Sequence, residues 1–468
     1  MTISALLVAN RGEIAVRIIR AAKALGIRTV QVHSAADRDM LAVKLADAAI
    51  EIGPPSAAKS YLNIEAVLKA ALESGVDAVH PGYGFLSENA AFAKAVTDAG
   101  LIFIGPSHEA ISLLGDKVEA RKVAMQAGVP TVPGSDGRVD DLDAGRAVVE
   151  EIGFPVMIKA AAGGGGRGIR IAETLADFER HFPQASAEAL AAFGDGGLYI
   201  EKVITRARHV EVQILGDGED AIHCFERECS LQRRRQKVWE EGPSVSLPAD
   251  VRKALCDSAV ALARSVGYRG AGTVEYLYDE QSGEFYFIEV NTRIQVEHPV
   301  TEMITGIDLV QEMIRIAGGA RLSLRQEDVR LNGHAIECRI NAEDPAKGFL
   351  PGPGTISTLN IPEGEGIRFD TMLYEGYQVP PFYDSLLGKL IVWGENRDAC
   401  LERLAGALEH FEIGGLATTV PLHRKLAADA SVKKADFHTR FLEPWLETAF
   451  PAASPVASVA PVLAKEKH

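Results

Sequence analysis

The chain has 468 residues and a formal net charge of −15, with 47% hydrophobic and 24% charged residues. That length exceeds one simple core, so two to four globular domains are expected, and the acidic balance argues against a nucleic-acid binder. No apolar run is long enough to span a membrane, and the early Arg11 and Glu13 leave no room for a signal peptide.

In chain order, residues 5–9, 28–33, 48–52, 78–80 and 101–105 read as strands, and 13–25, 63–74 and 89–99 as helices. In the first helix Ile14, Ile18, Ala22 and Leu25 mark one face. The alternation predicts a doubly wound parallel sheet. The first turn, Ala9-Asn10-Arg11-Gly12-Glu13, lacks the G-x-G-x-x-G spacing, so no dinucleotide site is expected there, although Asp37 follows the second strand as a ribose-binding acid would. The loop His80-Pro81-Gly82-Tyr83-Gly84-Phe85-Leu86-Ser87-Glu88-Asn89 sits at the carboxyl end of a strand, where open α/β sheets bind ligands. Ser87 in it either caps the next helix or takes part in binding.

From Gly115, two short helices lead to the stiff connector Val129-Pro130-Thr131-Val132-Pro133-Gly134. An apolar strand carrying Lys159 then runs into Gly163, Gly164, Gly165 and Gly166, followed by a strand at 169–172. Four successive glycines lose much entropy on ordering. Either their N–H groups close over phosphate, or the run is a loose surface turn. Lys159 precedes the glycines rather than following them as in a Walker A loop, which points to a lid over a nucleotide. Residues 198–204 and 209–215 read as adjacent strands. The basic run Arg233-Arg234-Arg235-Gln236-Lys237 is local and ringed by acids; it suits a small anionic substrate better than a duplex, the competing reading being a solvated basic surface or a nucleic-acid patch. The cysteines 224, 229, 256, 338 and 400 form no CxxC pair, the pattern of reduced thiols in a cytosolic protein.

The segment 273–297 carries the chemistry. Residues 273–278 and 285–290 form two strands, and a short loop with Gly283 in a left-handed position closes them into a hairpin. That register sets Tyr278 against Tyr286 and Glu275 against Glu289. Like charges directly opposed are destabilising, so a hard divalent cation is expected between them. The period of two then places Glu289, Asn291, Arg293, Gln295 and Glu297 on one face. Leu277, Phe285 and Phe287 share that face as a partly buried floor, while Val274, Tyr276, Ile288 and Val290 face the core. The competing reading is a solvated polar face with ordinary salt bridges. A third unit begins after Asn332. It is mostly β, with a helix at about 397–411 and a tail too poor in large apolar residues to bury a core.

These strings, in this order, resemble the ATP-grasp biotin carboxylases, the component of acyl-CoA carboxylases and their relatives that carboxylates biotin. The resemblance covers about residues 4–447 and rests on 9–15, 80–89, 163–168, 269–273 and 291–299 together. It implies a mixed α/β and α+β fold: an N-terminal pre-ATP-grasp domain with the parallel sheet (1–114), an ATP-grasp domain (115–334) with a mobile glycine-rich lid at about 131–203, a mostly β C-terminal domain (335–447) and a disordered tail (448–468). It implies ATP-binding roles for Lys117, Lys159, Gly163–Gly166, Glu201, Lys202, Val203, Ile204, His209, Gln232, Arg235 and Leu277, and metal ligation by Glu275, Glu289 and Asn291. The resemblance implies two Mg²⁺ there, with Mn²⁺ as a substitute.

Bicarbonate is implied at Lys237, Arg293, Gln295, the Val296 backbone and Glu297. Glu297 takes its proton, Arg339 stabilises the biotin enolate, and Tyr83 lies in the biotin-facing loop. Most relatives carry histidine where this chain has Arg235, and a small aliphatic residue where it has Trp239. The chain has no Met-Lys-Met biotinylation site, so biotin is expected on a separate carrier protein, with a carboxyltransferase subunit as a further partner. A cytoplasmic homodimer is the family expectation. The alternatives are another ATP-grasp ligase that uses an acylphosphate, or a non-catalytic nucleotide-binding subunit of a carboxylase complex.

Overall fold

In the computed structural model, which describes residues 3–160, 169–193 and 195–451, the first hundred residues build one parallel sheet. Its strands are β1 (Ala5–Val8), β2 (Arg28–Ser34), β3 (Ala48–Gly53), β4 (Ala78–His80) and β5 (Ile102–Phe103), in the order β3-β2-β1-β4-β5. The helix Gly12–Ala24 buries Ile14, Ile18 and Ala22 against it, as its spacing predicts. Strand order reverses beside β1, so the carboxyl ends of β1 and β4 open a crevice.

Two loops fill the rim of that crevice. Asn10 Nδ2 donates to the Pro81 and Tyr83 carbonyls, both at 2.7 Å. Gly82 makes the approach possible: its φ is +65°, and a Cβ there would lie 2.9 Å from Asn10 Nδ2. Asn89, not Ser87, caps the helix Ala90–Asp98 by accepting from the Phe92 N–H; the Ser87 hydroxyl is buried without a partner. Asp37 is taken by Arg11 at 2.7 and 2.9 Å and by the Tyr61 hydroxyl at 2.6 Å. It serves the fold rather than a ribose.

Strands β6 (Val156–Ala160), β7 (Arg170–Ala172) and β8 (Leu198–Lys202) form a small antiparallel sheet in the order β7-β6-β8. The helices Leu142–Ile152 and Leu175–Phe193 pack on it around Val156, Ile158, Phe178 and Ile200. Gly163, Gly164, Gly165 and Gly166, expected to cover a nucleotide, lie outside the described residues, as does 452–468 of the expected tail. The helix Leu442–Ala449 runs past the expected start of that tail.

The largest sheet has eight strands. β9 (Ala207–Asp217), β10 (Ala221–Arg233), β11 (Gln236–Gly242), β12 (Arg269–Asp279), β13 (Glu284–Asn291) and β14 (His334–Asn341) run in the order β13-β12-β9-β10-β11-β14, continued by Leu386–Gly394 and Ile367–Thr371. The expectation that 198–204 and 209–215 are adjacent strands is therefore corrected. β8 and β9 follow one another in the chain but belong to different sheets, because the Val203 N–H turns back onto the Pro155 carbonyl at 2.9 Å. The unit that begins after Asn332 extends the same sheet through the β11–β14 pairing, and its helix Arg397–His410 packs on that extension.

The hairpin holds its predicted register only at the catalytic end. Glu275 lies opposite Glu289, Val274 opposite Val290 and Thr273 opposite Asn291, and Gly283 has φ +73° in the loop. Beyond Glu275 the register shifts by one residue: Tyr278 pairs with Phe285 and Leu277 with Tyr286, correcting the Tyr278–Tyr286 pair. The shift has a visible cause. Phe287 donates its N–H to the Pro130 carbonyl at 2.7 Å and bridges Thr131, outside the hairpin. The bulge inverts the parity of the outer half, so Phe287 joins Val129, Val274 and Tyr276 in the core, with Phe285 packed against them, and neither floors the acidic face.

Candidate active site

Alternation along two neighbouring strands creates the centre of the site. On β9, residues His209, Glu211 and Gln213 point to one face, and Glu275 on β12 lies directly across from Glu211. From β11, beyond a two-residue turn at Arg234 and Arg235, Lys237 reaches onto the same face. Its Nζ contacts Glu211, Glu275 Oε1 at 2.9 Å and Glu297 Oε1 at 2.7 Å. Three carboxylates thus share one buried ammonium. Burial pushes Lys237 down, but Glu211, Glu297 and Glu275 outweigh it and hold the ammonium well above its usual range.

Glu297 is wholly buried at the start of the helix His298–Thr305, and it also accepts from Arg339 Nη2 at 2.9 Å. Burial pushes its carboxyl up; Lys237, Arg339 and Arg227 together hold it well below the usual carboxylate range. The same contest, with Lys237 and His209 winning over burial, depresses Glu275. His209 Nε2 lies 3.0 Å from Glu275 Oε2, and Gln232 Nε2 lies 3.0 Å from His209 Nδ1.

Past β13 the chain bends at Arg293 and turns at 296–297 instead of staying extended as the period of two required, yet Asn291, Arg293 and Gln295 still line the acidic cleft. Arg293 reaches Asn291 Oδ1 and Gln295 Oε1, each at 2.8 Å. Asn291 and Gln295 in turn donate to Glu275 Oε1 at 2.9 and 3.3 Å. A cleft of about 460 Å³ is lined by Tyr83, His209, Gln232, Arg235, Lys237, Glu275, Glu289, Asn291, Arg293, Gln295, Val296 and Arg339. Candidate metal, bicarbonate and biotin positions from distant parts of the chain therefore face one volume.

Glu289 opens toward Lys117, whose Nζ lies 3.4 Å away. Lys159 pairs with Glu201 across β6 and β8. Lys117 and Glu201 line a second cleft of about 550 Å³ between the helix Lys117–Gln126 and the three-stranded sheet. Leu277 pairs with His209 across β12 and β9. Val203 is buried and Ile204 partly so. The Lys202 side chain donates to the Ile152 and Phe154 carbonyls at 2.9 and 3.0 Å.

Three further acids emerge. Glu211 accepts from Arg227 Nε at 2.7 Å as well as from Lys237, in a strand that gives no local signal of either partner. Glu88, in the loop already singled out, holds Arg293 Nε at 2.8 Å and the Thr292 N–H at 3.2 Å. Glu240 accepts from Arg339 Nε at 2.5 Å; burial drives its carboxyl up to about 7, against the pull of Arg339. Trp239 is buried and stacks on His423, its ring nitrogen without an acceptor.

Glu275, Glu289 and Asn291 offer hard oxygen donors, and a His209, Glu211 and Glu275 atom set lies within 4.8 Å. The side-chain oxygens of Glu275, Glu289 and Asn291 are of the type a hard divalent cation takes, while the clustered set shares only Glu275 with them and adds a histidine nitrogen.

Family comparisons agree with this geometry. The biotin carboxylase N-terminal domain matches residues 2–111, the carbamoyl-phosphate synthase L chain ATP-binding domain 116–325, and the biotin carboxylase C-terminal domain 337–444. The biotin carboxylase of Nostoc sp. is 53% identical over 444 residues, covering 95% of this chain and 99% of that protein. The biotin carboxylase domain of a thermophilic 2-oxoglutarate carboxylase bound to bicarbonate superposes with a TM-score of 0.92 at 46% identity, covering 97% of this chain and 100% of that one. The corresponding domain dimer from Hydrogenobacter thermophilus, in complex with MgADP, ADP and bicarbonate, gives a TM-score of 0.86 at 48% identity over 97% and 100% of the two chains. With half of its residues shared along nearly its whole length, and with its ion-paired cleft built from all three matched regions, the chain belongs to the biotin carboxylase family of ATP-dependent ligases.

Proposed function

We propose that this protein carboxylates biotin held on a separate carrier protein, using ATP and bicarbonate by way of carboxyphosphate, as the first half-reaction of a multi-subunit acyl-CoA carboxylase. The observation that carries the reading is the Lys237 ammonium shared by Glu211, Glu275 and Glu297, beside Arg293, Gln295 and Arg339 in one cleft that reaches Tyr83. Lys237 and Arg293 present positive charge to a small anion, and Gln295 with the Val296 N–H orients it. Glu297 accepts the bicarbonate proton; burial beside two cations keeps base and substrate together. Bicarbonate oxygen then attacks the γ-phosphorus and ADP leaves.

Carboxyphosphate breaks down to CO₂ and phosphate, and phosphate removes the ureido proton of biotin. Arg339 stabilises the resulting enolate, whose nitrogen attacks CO₂. Lys117, Lys159 and Gly163–Gly166 are assigned to the nucleotide phosphates; Glu201, Lys202, Val203, Ile204, His209, Gln232, Arg235 and Leu277 are assigned to the rest of the nucleotide. Glu275, Glu289 and Asn291 would hold Mg²⁺, which when bound neutralises charge on the transferring phosphoryl group.

The partners in this reading are a biotin carboxyl carrier protein, a carboxyltransferase subunit and a second copy of the chain. A dimer is supported by the Hydrogenobacter thermophilus domain. Among the described residues no helix is long and apolar enough to cross a membrane, and a cytoplasmic location is part of the proposal. The test is transfer of labelled bicarbonate to free biotin with ATP hydrolysis that requires bicarbonate. Hydrolysis that instead requires ammonia or glycinamide would assign a different ligase.

A further inference from the structure

One buried ammonium has no part in the reaction described so far. Lys389 interrupts an otherwise apolar run, Leu386-Leu387-Gly388-Lys389-Leu390-Ile391-Val392, and its side chain is wholly buried. Lysine almost never occupies such a position unless paired, and an apolar residue of similar volume there would avoid the cost of taking the ammonium out of water. Its placement is specific. Lys389 Nζ donates to the Val296 carbonyl at 2.7 Å and lies 3.1 Å from Glu13 Oε1. The Tyr83 hydroxyl donates to that same Glu13 oxygen. Glu13 Oε2 is buried with no partner, so the carboxylate is held for what its other oxygen does.

The three partners come from three parts of the fold. Glu13 opens the first helix, Val296 belongs to the turn that delivers Glu297, and Lys389 lies in register between Arg339 on one neighbouring strand and Asp370 on the other. The Val296 carbonyl belongs to the peptide that leads into Glu297, so anchoring it fixes the direction from which that carboxylate enters the site. The Glu13 arm does the same for Tyr83, which lines the same cleft.

We infer that Lys389 is a positioning residue for the carboxylation proposed above, tying the bicarbonate turn at Val296 and Glu297 to the biotin-facing Tyr83 through Glu13. The inference rests on that functional reading. One ammonium that holds Val296 directly and Tyr83 through Glu13 keeps the place where CO₂ is released and the place where biotin receives it at a constant separation.

The experiment compares wild type, Lys389→Met and Glu13→Gln as full-length chains. It measures nucleotide binding, the bicarbonate KM of ATP hydrolysis, and carboxybiotin formed per ATP hydrolysed. Lys389→Met is expected to bind nucleotide as wild type does, to raise the bicarbonate KM by about tenfold or more, and to lower the carboxybiotin yield per ATP severalfold, because small misplacements are costly to such reactions. Glu13→Gln leaves the Val296 anchor in place and is expected to lower the yield with a smaller change in KM. A merely structural role predicts fewer folded molecules with unaltered KM and yield, and that result overturns the inference. Should Lys389→Met fail to fold, an unaltered yield in Glu13→Gln overturns it equally. Wild-type protein that shows no bicarbonate-dependent hydrolysis removes the functional reading instead, and the inference with it.

Discussion

Glu297→Gln separates the base from the scaffold around it. Its two oxygens accept from Lys237 at 2.7 Å and Arg339 at 2.9 Å. The amide keeps one acceptor and turns a donor toward the other cation, so one charge-assisted hydrogen bond, about 1.5–3 kcal/mol, is lost. Lys237 retains Glu211 and Glu275, Arg339 retains Glu240 as a counter-charge above about pH 7, and Glu211 is relieved of a like charge that helps hold its carboxyl up. These terms oppose each other, so stability should change by no more than about 2 kcal/mol. Loss of a general base removes roughly 10²–10⁴-fold in rate. Nucleotide affinity should stay within a few-fold of wild type, since no contact links Glu297 to Lys117, Lys159 or Glu201 among the described residues. The assay pairs calorimetric nucleotide binding with bicarbonate-dependent ATP hydrolysis and denaturant unfolding. Turnover within about tenfold of wild type, in protein that binds nucleotide normally, would refute the assignment of Glu297 as the base.

Three other outcomes test separate parts of the site. Glu275→Gln with Glu289→Gln should raise the Mg²⁺ concentration needed for half-maximal hydrolysis steeply, read from a metal titration; an unaltered requirement would break the argument from the opposed acids. Glu240, driven up to about 7 by burial, is uncharged below that pH and then gives Arg339 no counter-charge. Carboxylation of biotin should therefore change through an inflection near pH 7 that Glu240→Gln abolishes. The sign for stability is equally definite. With its folded value raised above the ordinary 4.5, the Glu240 contribution is fully present below pH 4.5 and is lost as pH rises toward 7, and denaturant midpoints for Glu240→Gln should lack that decline. At the β10–β11 turn, Arg234 and Arg235 both adopt positive φ, +47° and +65°. Asn tolerates that region far better than Arg, so Arg234→Asn should stabilise the protein by about 0.5–1 kcal/mol in urea unfolding.

What could be read from the residues divides along a physical line. Alternation in the first hundred residues predicted the parallel sheet nearly strand by strand, because each βαβ unit satisfies its own backbone and the order follows from chain connectivity. The opposed pair Glu275–Glu289 was legible for the same local reason: pairing near the catalytic end follows directly from strand alternation. The outer half of that hairpin was not legible, since its bulge answers to Phe287 bonding the Pro130 carbonyl, more than a hundred residues earlier in the chain. Likewise β8 and β9 carry similar apolar alternation, and only the three-stranded core around Phe178 and Phe182 decides that β8 leaves the larger sheet.

The acids follow the same division. Glu211 and Glu240 stand in strands whose pattern reads as ordinary core, and nothing within a few residues announces that Lys237 and Arg339 will reach them. A buried carboxylate becomes tolerable only when a cation arrives from another strand, so its presence in an apolar strand already implies a partner somewhere in the fold. The consequence reaches beyond this chain's known motifs. Glu211, Glu240, Glu13 and Lys389 are each expensive where they stand, and each lies within one contact of a residue assigned to the chemistry. Glu211, Glu240 and Lys389, charges inside strands that otherwise read as core, and Glu13 at the start of the first helix form a shell beside the groups assigned to the reaction. Lys389, with no exposed atom to meet a substrate and with bonds to the Val296 carbonyl and to the Glu13 that holds Tyr83, is the member of that shell whose removal should disturb coupling before it disturbs binding.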